Sequence, residues 1–507
     1  MEKVAQKITQ HFQRLYPQQH FPRIGILVGV GHNGGDALVV ARELWHQGYQ
    51  VQLCFPINRN PKPLTKVHGC YARYLGIPSG SWQELATCDV LLDGVFGFGL
   101  EREIHGALAE IFTAINQWHK PLVSIDLPSG IHTDTGAVMG VALKARHTFC
   151  LGMWKRGVLA ESAVPYVGEL IGINFDIPQS TLQQHLGQNH ELWRIAPAAV
   201  LGQLAQTQRQ VLGHKYSQGG VLLVVGSLQY AGAALLAAAA ARATGVGMMT
   251  VCVPQSLRYF ILERLPDALV LGCPETPTGA IQQLPDLTHQ LQRQRYQAIV
   301  CGCGLSLDAP PVIKEVLHLS ATYAVPLVLD ADGLTLLSEQ LSLIAPSSEP
   351  PLQLPPHLVL TPHWGEFQRL FPTITEPHQG GDRFTQLRTA LRQLSPFIPA
   401  SITILLKGAR TIIGSIRQNQ ADSLRLAVNP ESTPALARGG TGDVLAGMIG
   451  GLIAQGAAPD QAAIQATVWH SQTAIALAKT HTQRGVTPLD LVEHLLPFLA
   501  GICTELF

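Results

Sequence analysis

Apolar positions along the chain fall into two kinds of run: short β-branched stretches, and longer stretches where they recur every three or four residues. The first kind suits a buried strand and the second a helix packed on a sheet. Their alternation predicts parallel α/β architecture. In the first part, strands are expected at Ile24–Val30, Val51–Phe55, Val90–Asp93, Leu122–Asp126 and His147–Leu151. Helices such as Gly35–Gln47 and Ala107–His119 lie between them.

The pattern fades after Phe175. Pro178–Gln210 is rich in Gln and shows no clear strand, so it reads as a linker and the entry to a second domain. The expected domains are 1–190 and 191–507. A new series of strands follows at Val221–Gly226, Met249–Val253, Ala298–Cys301, Leu327–Asp330, Leu358–Thr361 and Thr403–Leu406, ending in helices at Gly442–Ile453, Pro459–Lys479 and Pro488–Leu496. Pro346–Pro356 reads as a surface loop by composition. No repeat with a period of roughly 20–50 residues is visible.

Composition narrows the class. A chain of 507 residues, 46% hydrophobic and 14% charged, can bury large cores and is not a disordered one. Lys plus Arg and Asp plus Glu balance at 35 each, so no net field draws in nucleic acid or anionic membrane. The polar, amphipathic N-terminus lacks the apolar segment of a secretory signal. The longest apolar runs, near Ala231–Ala241 and Val444–Ala454, fall short of the ~18–20 residues that span a bilayer. Nine Cys are scattered without CxxC pairs, and Cys301 and Cys303 flank a tight turn. Reduced thiols in a cytoplasmic protein are expected, and structural zinc is not.

Three loops leave the C-terminal ends of the first strands, which line the ligand crevice of a doubly wound sheet. The first, Gly31-His32-Asn33-Gly34-Gly35-Asp36, runs into a helix whose start can receive a phosphate, although the same turn can also form with no ligand. The second is Asp93–Leu100 and the third Asp126-Leu127-Pro128-Ser129-Gly130. Asn33, Asp93 and Ser129 can converge as oxygen ligands for a hard cation, and Asp126 can act as acid or base. Each Asp taken singly also reads as a cap or turn residue; the shared placement favours a site.

The segments VGVGHNGGDALVVAR, LLDGVFGFGL and SIDLPSG resemble the NAD(P)H-hydrate epimerase family, whose usual forms are GxGNNGGDG, DAxxGTGL and DIPSG. His32, Ala37 and Phe98 stand where that family has Asn, Gly and Thr. Members usually carry a further upstream helix, and MEKVAQKI is similar to the start of their second. The resemblance implies a Rossmann-like fold that interconverts the R and S hydrates at C6 of the reduced nicotinamide ring. It implies potassium at Asn33, Asp93 and Ser129. Substrate would lie on the turn Asn33, Gly34, Gly35 and Asp36, on the loop Gly97, Phe98, Gly99, Leu100, Glu101, Arg102 and Glu103, and against Asp126 as the catalytic group.

The most specific motif is Arg438-Gly439-Gly440-Thr441-Gly442-Asp443, which feeds into a long helix. Adjacent glycines and a positive helix end can hold phosphate charge, with a carboxylate beside it to serve as base. A capped helix without chemistry is the plainer alternative. The block resembles the ribokinase-like superfamily. Together with HKYSQGGVLLVVGSLQYAGAALLAAAAARATGVGMMTV, VCGCGL, PLVLDADGL, LTPHWGE and LLKGART, in the family's order over about 214 to 456, it resembles the ADP-dependent NAD(P)H-hydrate dehydratases. Cys303 and Trp364 replace prolines of their usual GPGL and HPGE, and Arg410 replaces a Gly of KGAGT. The resemblance implies that Ala233, Gly304, His363 and Asp443 contact the hydrated nucleotide, with Asp443 catalytic, and that Lys407, Gly408, Ala409, Arg410, Thr411 and Gly442 hold ADP. Asp330 and Asp332 lie at a strand end, and Asn429 lies near this site in sequence. His363 alone would read as a turn residue.

The expected enzyme is therefore bifunctional: an epimerase, and a dehydratase that uses ADP to return NADHX and NADPHX to NADH and NADPH with release of AMP and phosphate. Magnesium would offset the diphosphate charge. Neither nucleic acid nor membrane is an expected partner, and a homo-oligomer is. Two other readings stay open: a ribokinase-type kinase acting on a vitamin hydroxymethyl group, and a first domain that only binds a nucleotide or a partner.

Overall fold

The computed structural model describes residues 1–186, 191–207, 212–342, 354–374, 382–418 and 424–506. Most of the expected loop Pro346–Pro356 and part of the expected linker lie outside them. The chain divides into two compact units, residues 1–188 and 189–507.

The first unit is built on β1 (Arg23–Val28), β2 (Gln50–Cys54), β3 (Val90–Gly94), β4 (Leu122–Ile125), β5 (His147–Leu151) and β6 (Glu169–Ile173). They form one parallel sheet in the order β2-β1-β3-β4-β5-β6. After β1 the chain turns to one side for β2 and then crosses to the other for β3. The strand order therefore reverses between β1 and β3, the position at which ligands bind in such sheets. Apolar clusters cover both faces, one around Phe12, Ile26 and Phe149 and the other around Leu91, Ile104 and Phe112. Burial on both faces explains why these strands read as nearly continuous apolar runs. The expected strands are all present, with ends moved by up to two residues; β6, whose exposed or half-covered Glu169–Gly172 weaken the apolar signal, was not expected.

The second unit holds β7 (Leu192–Arg194), β8 (Gly220–Val224), β9 (Met248–Pro254), β10 (Leu269–Cys273), β11 (Ala298–Cys301), β12 (Leu327–Leu329), β13 (His357–Leu360), β14 (Ser401–Leu406), β15 (Ile412–Arg417) and β16 (Arg425–Val428). Their order is β10-β9-β8-β11-β12-β13-β14-β15-β16-β7, with antiparallel pairing only at β14–β15 and β15–β16. The stretch read as a linker without strands is corrected here: it contains helices Gln179–Leu186 and Pro197–Gln206, and β7 pairs with β16 as an edge strand. Three half-buried residues are too few to set a period.

The two Ala- and Gly-rich runs form the helices Ala231–Ala243 and Thr441–Ala454, and their small residues have a packing reason. A Cβ on Gly447 would lie 2.0 Å from the Ala237 carbonyl oxygen, and one on Gly450 would lie 2.1 Å from Val300. Such approach leaves no room for a side chain, so overpacking would displace the Thr441 helix. Among the described residues no helix is long and apolar enough to cross a membrane.

Candidate active sites

In the first unit the three predicted loops meet. The helix starts at His32 with Gly31 as its cap, so Asn33, Gly34 and Gly35 occupy its first turn and Asp36 follows directly. Gly34 is obligatory there, because a Cβ would lie 1.9 Å from the Gly29 carbonyl oxygen. The Asn33 amide donates to the Ile125 carbonyl at 3.2 Å, tying the turn to the end of β4. A Cβ on Gly97 would stand 3.2 Å from the same side chain, which places the second loop beside the first. Beyond it, Phe98 is 79% exposed, and Glu101, Arg102 and Glu103 are exposed too.

Asp93 is fully buried, and its carboxylate accepts from the Ser129 hydroxyl at 2.6 Å, the Ser129 amide at 2.8 Å, Ser124 at 2.9 Å and the Val95 amide at 3.1 Å. Burial pushes its pKa up and these donors pull it back. No Lys or Arg pairs with Asp93 among the described ion pairs. A buried carboxylate lined by serine hydroxyls, with the Asn33 loop beside it, has oxygen chemistry that would fit a hard, weakly demanding cation.

Asp126 stands at the end of β4 with φ of 72°, a left-handed conformation unusual outside glycine. Its carboxylate accepts from the Lys155 ammonium and, at 3.3 Å, from the Leu151 amide. Lys155 also donates to the Leu151 carbonyl at 2.7 Å. Sequence reading passed over Lys155, although it lies just after β5, in the same row of strand ends as the other loops. Burial raises Asp36 to about 6, and the nearby Asp126 adds to the effect.

In the second unit the phosphate motif forms as expected. Gly440 caps the Thr441 helix with φ of 97°. Asp443 lies in the first turn, and burial followed by the neighbouring Asp330 raises its pKa to about 6. Over Gly442 stands an ion pair: a Cβ on that glycine would lie 3.3 Å from Lys407 Nζ and 3.4 Å from Asp330 Oδ2. Lys407 donates to Asp330 at 2.7 Å and faces Glu366 at 3.9 Å. Burial alone would pull the ammonium down, but Asp330 and then Glu366 hold it above its ordinary value.

Gly304 meets Ala233, since a Cβ on it would lie 2.8 Å from the alanine's. The two substrate residues expected on β11 and β8 loops are thus neighbours across the reversal point of this sheet. His363 caps the helix Trp364–Leu370: its Nδ1 accepts from the Glu366 amide at 3.2 Å, while the Glu366 carboxylate accepts from the His363 amide at 2.8 Å. The cap reading is met, and the His363 side chain stays about half exposed, open to solvent. Gly408 and Ala409 are exposed, but the Arg410 guanidinium is buried and donates to the Pro430 carbonyl. Thr411 closes that turn by donating to the Gly408 carbonyl at 3.2 Å. The Asn429 side-chain amide donates to the Glu431 carbonyl and to Ser471 while its buried Oδ1 has no partner among the described residues, and Asp332 receives the Ser306 amide at 2.9 Å. His470, also missed from the sequence, is buried and hydrogen-bonded to the Thr441 carbonyl at 3.0 Å; burial lowers its pKa to about 4, so it stays neutral. A single His within an apolar helix gives no local signal.

Two α/β units, one with Asp126 and Lys155 paired at a Rossmann-like crevice and one ribokinase-like with Asp443 in the first turn of a glycine-capped helix, mark a bifunctional nucleotide-processing enzyme. Residues 221–497 match the NAD(P)H-hydrate dehydratase family model, and residues 1–157 match that of YjeF-related protein N-termini. The chain is 47% identical to a bifunctional NAD(P)H-hydrate repair enzyme Nnr of Thermosynechococcus vestitus, over 98% of this chain and 92% of that one. The Synechocystis enzyme of the same name is 46% identical over 98% and 90%. A solved ribokinase-like superfamily protein from Enterococcus faecalis is 27% identical over 62% of this chain and 97% of its own, with a TM-score of 0.49. The chain belongs to the family of bifunctional NAD(P)H-hydrate repair enzymes, which pair an epimerase with a dehydratase.

Proposed function

We propose that residues 1–190 carry the epimerase and residues 191–507 the ADP-dependent dehydratase, each working at the site described above. In the second site, ADP would lie on the Lys407–Thr411 turn and Gly442. Its terminal phosphate would meet the amides that open the Thr441 helix, where the helix dipole favours added negative charge. Ala233, Gly304 and His363 would hold the hydrated nicotinamide. Asp443 would take the proton from the C6 hydroxyl as that oxygen attacks the terminal phosphorus of ADP, and AMP leaves. The ring nitrogen then expels phosphate from C6, and loss of the adjacent C5 proton restores the double bond. This converts hydroxide, a poor leaving group, into phosphate. Lys407 supplies positive charge at the transferring group.

Cys303, Asp330 and Asp443 are the cluster whose ligand atoms lie within 4.8 Å of one another among the described residues. A thiol, with an ammonium already on Asp330, does not fit magnesium, which prefers an all-oxygen shell. Magnesium would accompany the diphosphate. In the first site, Asn33, Asp93 and Ser129 would hold potassium, which would offset the buried Asp93 charge. Substrate phosphates would lie on Asn33–Asp36 and Gly97–Glu103, with Asp126 and Lys155 as the acid–base pair facing C6.

The observation that carries the dehydratase reading is a half-buried Asp443, raised to about 6, one residue from a glycine overhung by Lys407. ADP consumption tests it: AMP release should require NADHX. Accumulation of a phosphorylated vitamin would favour the kinase reading instead.

A further inference from the structure

The Asp443 carboxylate has a neighbour that the reaction above does not use. Cys303 is fully buried, on the turn that follows β11, and its Sγ lies within 4.8 Å of a carboxylate oxygen of Asp443 and of Asp330. The turn is built to aim it: Gly302 has φ of 116° and Gly304 φ of 61°, and both approach other backbone too closely for a side chain. The amide of Gly226 donates to the Cys303 carbonyl at 2.9 Å, fixing the residue's backbone against the end of β8. The usual GPGL form of this loop has proline at this position, which has no side-chain donor.

We propose that Cys303 is a positioning residue for the base: its S–H engages one oxygen of Asp443 and leaves the other free to face the substrate hydroxyl. The proposal rests on the reading of Asp443 as base. Burial and the two carboxylates nearby push the thiol's own pKa well up, so it remains a donor across the working range. A donor to a carboxylate favours the charged form. The other titratable groups around Asp443 pull both ways. Asp330 and Asp332 raise its pKa, and Lys407 lowers it. Glu366 acts on Lys407 from behind, and His470 is neutral. Removing the thiol leaves the raising groups less opposed.

The test is the pH dependence of kcat/KM for dehydration of S-NADHX by the full-length chain, in wild type, C303A, C303S and D443N, with thermal melting as the check on folding. The acid limb should sit near the base's pKa. In C303A it should move up by about half a unit, a roughly threefold loss of rate on the limb with the plateau less affected. C303S, which restores a donor, should bring it back to the wild-type position or below. A C303A limb that coincides with wild type, or a C303S limb that follows C303A, overturns the proposal. If C303A does not fold, C303S decides alone: a limb at or below wild type supports the proposal, and one above it overturns it. D443N separates the two readings. An active D443N removes the base assignment itself, whereas an inactive D443N with an unshifted C303A limb removes only the role of Cys303.

Discussion

Asp126 and Asp443, the two proposed catalytic carboxylates, are held by different means. Asp126 sits on backbone held at φ of 72° and shares its carboxylate with a cation, Lys155. Asp443 sits in the regular first turn of a helix, and its neighbours are a thiol and a second carboxylate. The first arrangement keeps an acid and a base together, as a reaction that removes and returns a proton needs. The second would keep a base raised to about 6 next to an anion cradle, as the proposed phosphoryl transfer needs. The surroundings differ too: a largely exposed Phe98–Glu103 loop on one side, and a half-buried Lys407 on a buried Asp330 on the other.

Substitutions can break that comparison. The largest effect is expected for D443N, which should lower dehydration by about 10²–10⁴-fold while leaving interconversion of R and S hydrates at the wild-type rate. Stopped conversion of purified S-NADHX with intact epimerisation is the check; equal loss of both would mean that the sites do not divide as assigned. D126A should give the mirror image, with R-NADHX no longer consumed although S-NADHX is still dehydrated. If wild type and D126A consume the R form equally slowly, the first unit is only a binder.

Smaller effects sharpen the contrast. K155M removes the cation that Asp126 faces and should slow epimerisation by roughly tenfold or more, without moving the dehydration rate. The pH profile should differ between the two activities as well. A base raised to about 6 must be ionised to act, so dehydration should fall as pH drops through about 6, losing roughly tenfold one unit below it. A dehydration rate that is flat from pH 5 to 8 would exclude Asp443 as the base.

How much of this was legible in the sequence differs by site. Asn33, Asp93, Asp126 and Ser129 could be read because the loops follow clear strands, and strand ends converge by topology alone. Asp443 could be read because Gly-Gly-Thr-Gly-Asp is dense and local. Lys155, Glu366 and His470 could not, because each acts through a partner far along the chain: Lys155 through Asp126, Glu366 through Lys407, His470 through the Thr441 carbonyl. Strand β7 was missed for the same reason: three residues gain their place only from β16. Arg410 shows the converse. Its motif position is an expected ADP contact, yet its guanidinium turns inward to the Pro430 carbonyl, a direction no spacing rule gives.

The most direct measurement follows AMP and reduced nicotinamide together when purified S-NADHX is mixed with ADP and the wild-type chain. Phosphorylation of the C6 hydroxyl requires the two to appear one for one, and neither without the other. Recovery of the nicotinamide absorbance with no AMP, or AMP formed without the hydrate, would contradict it.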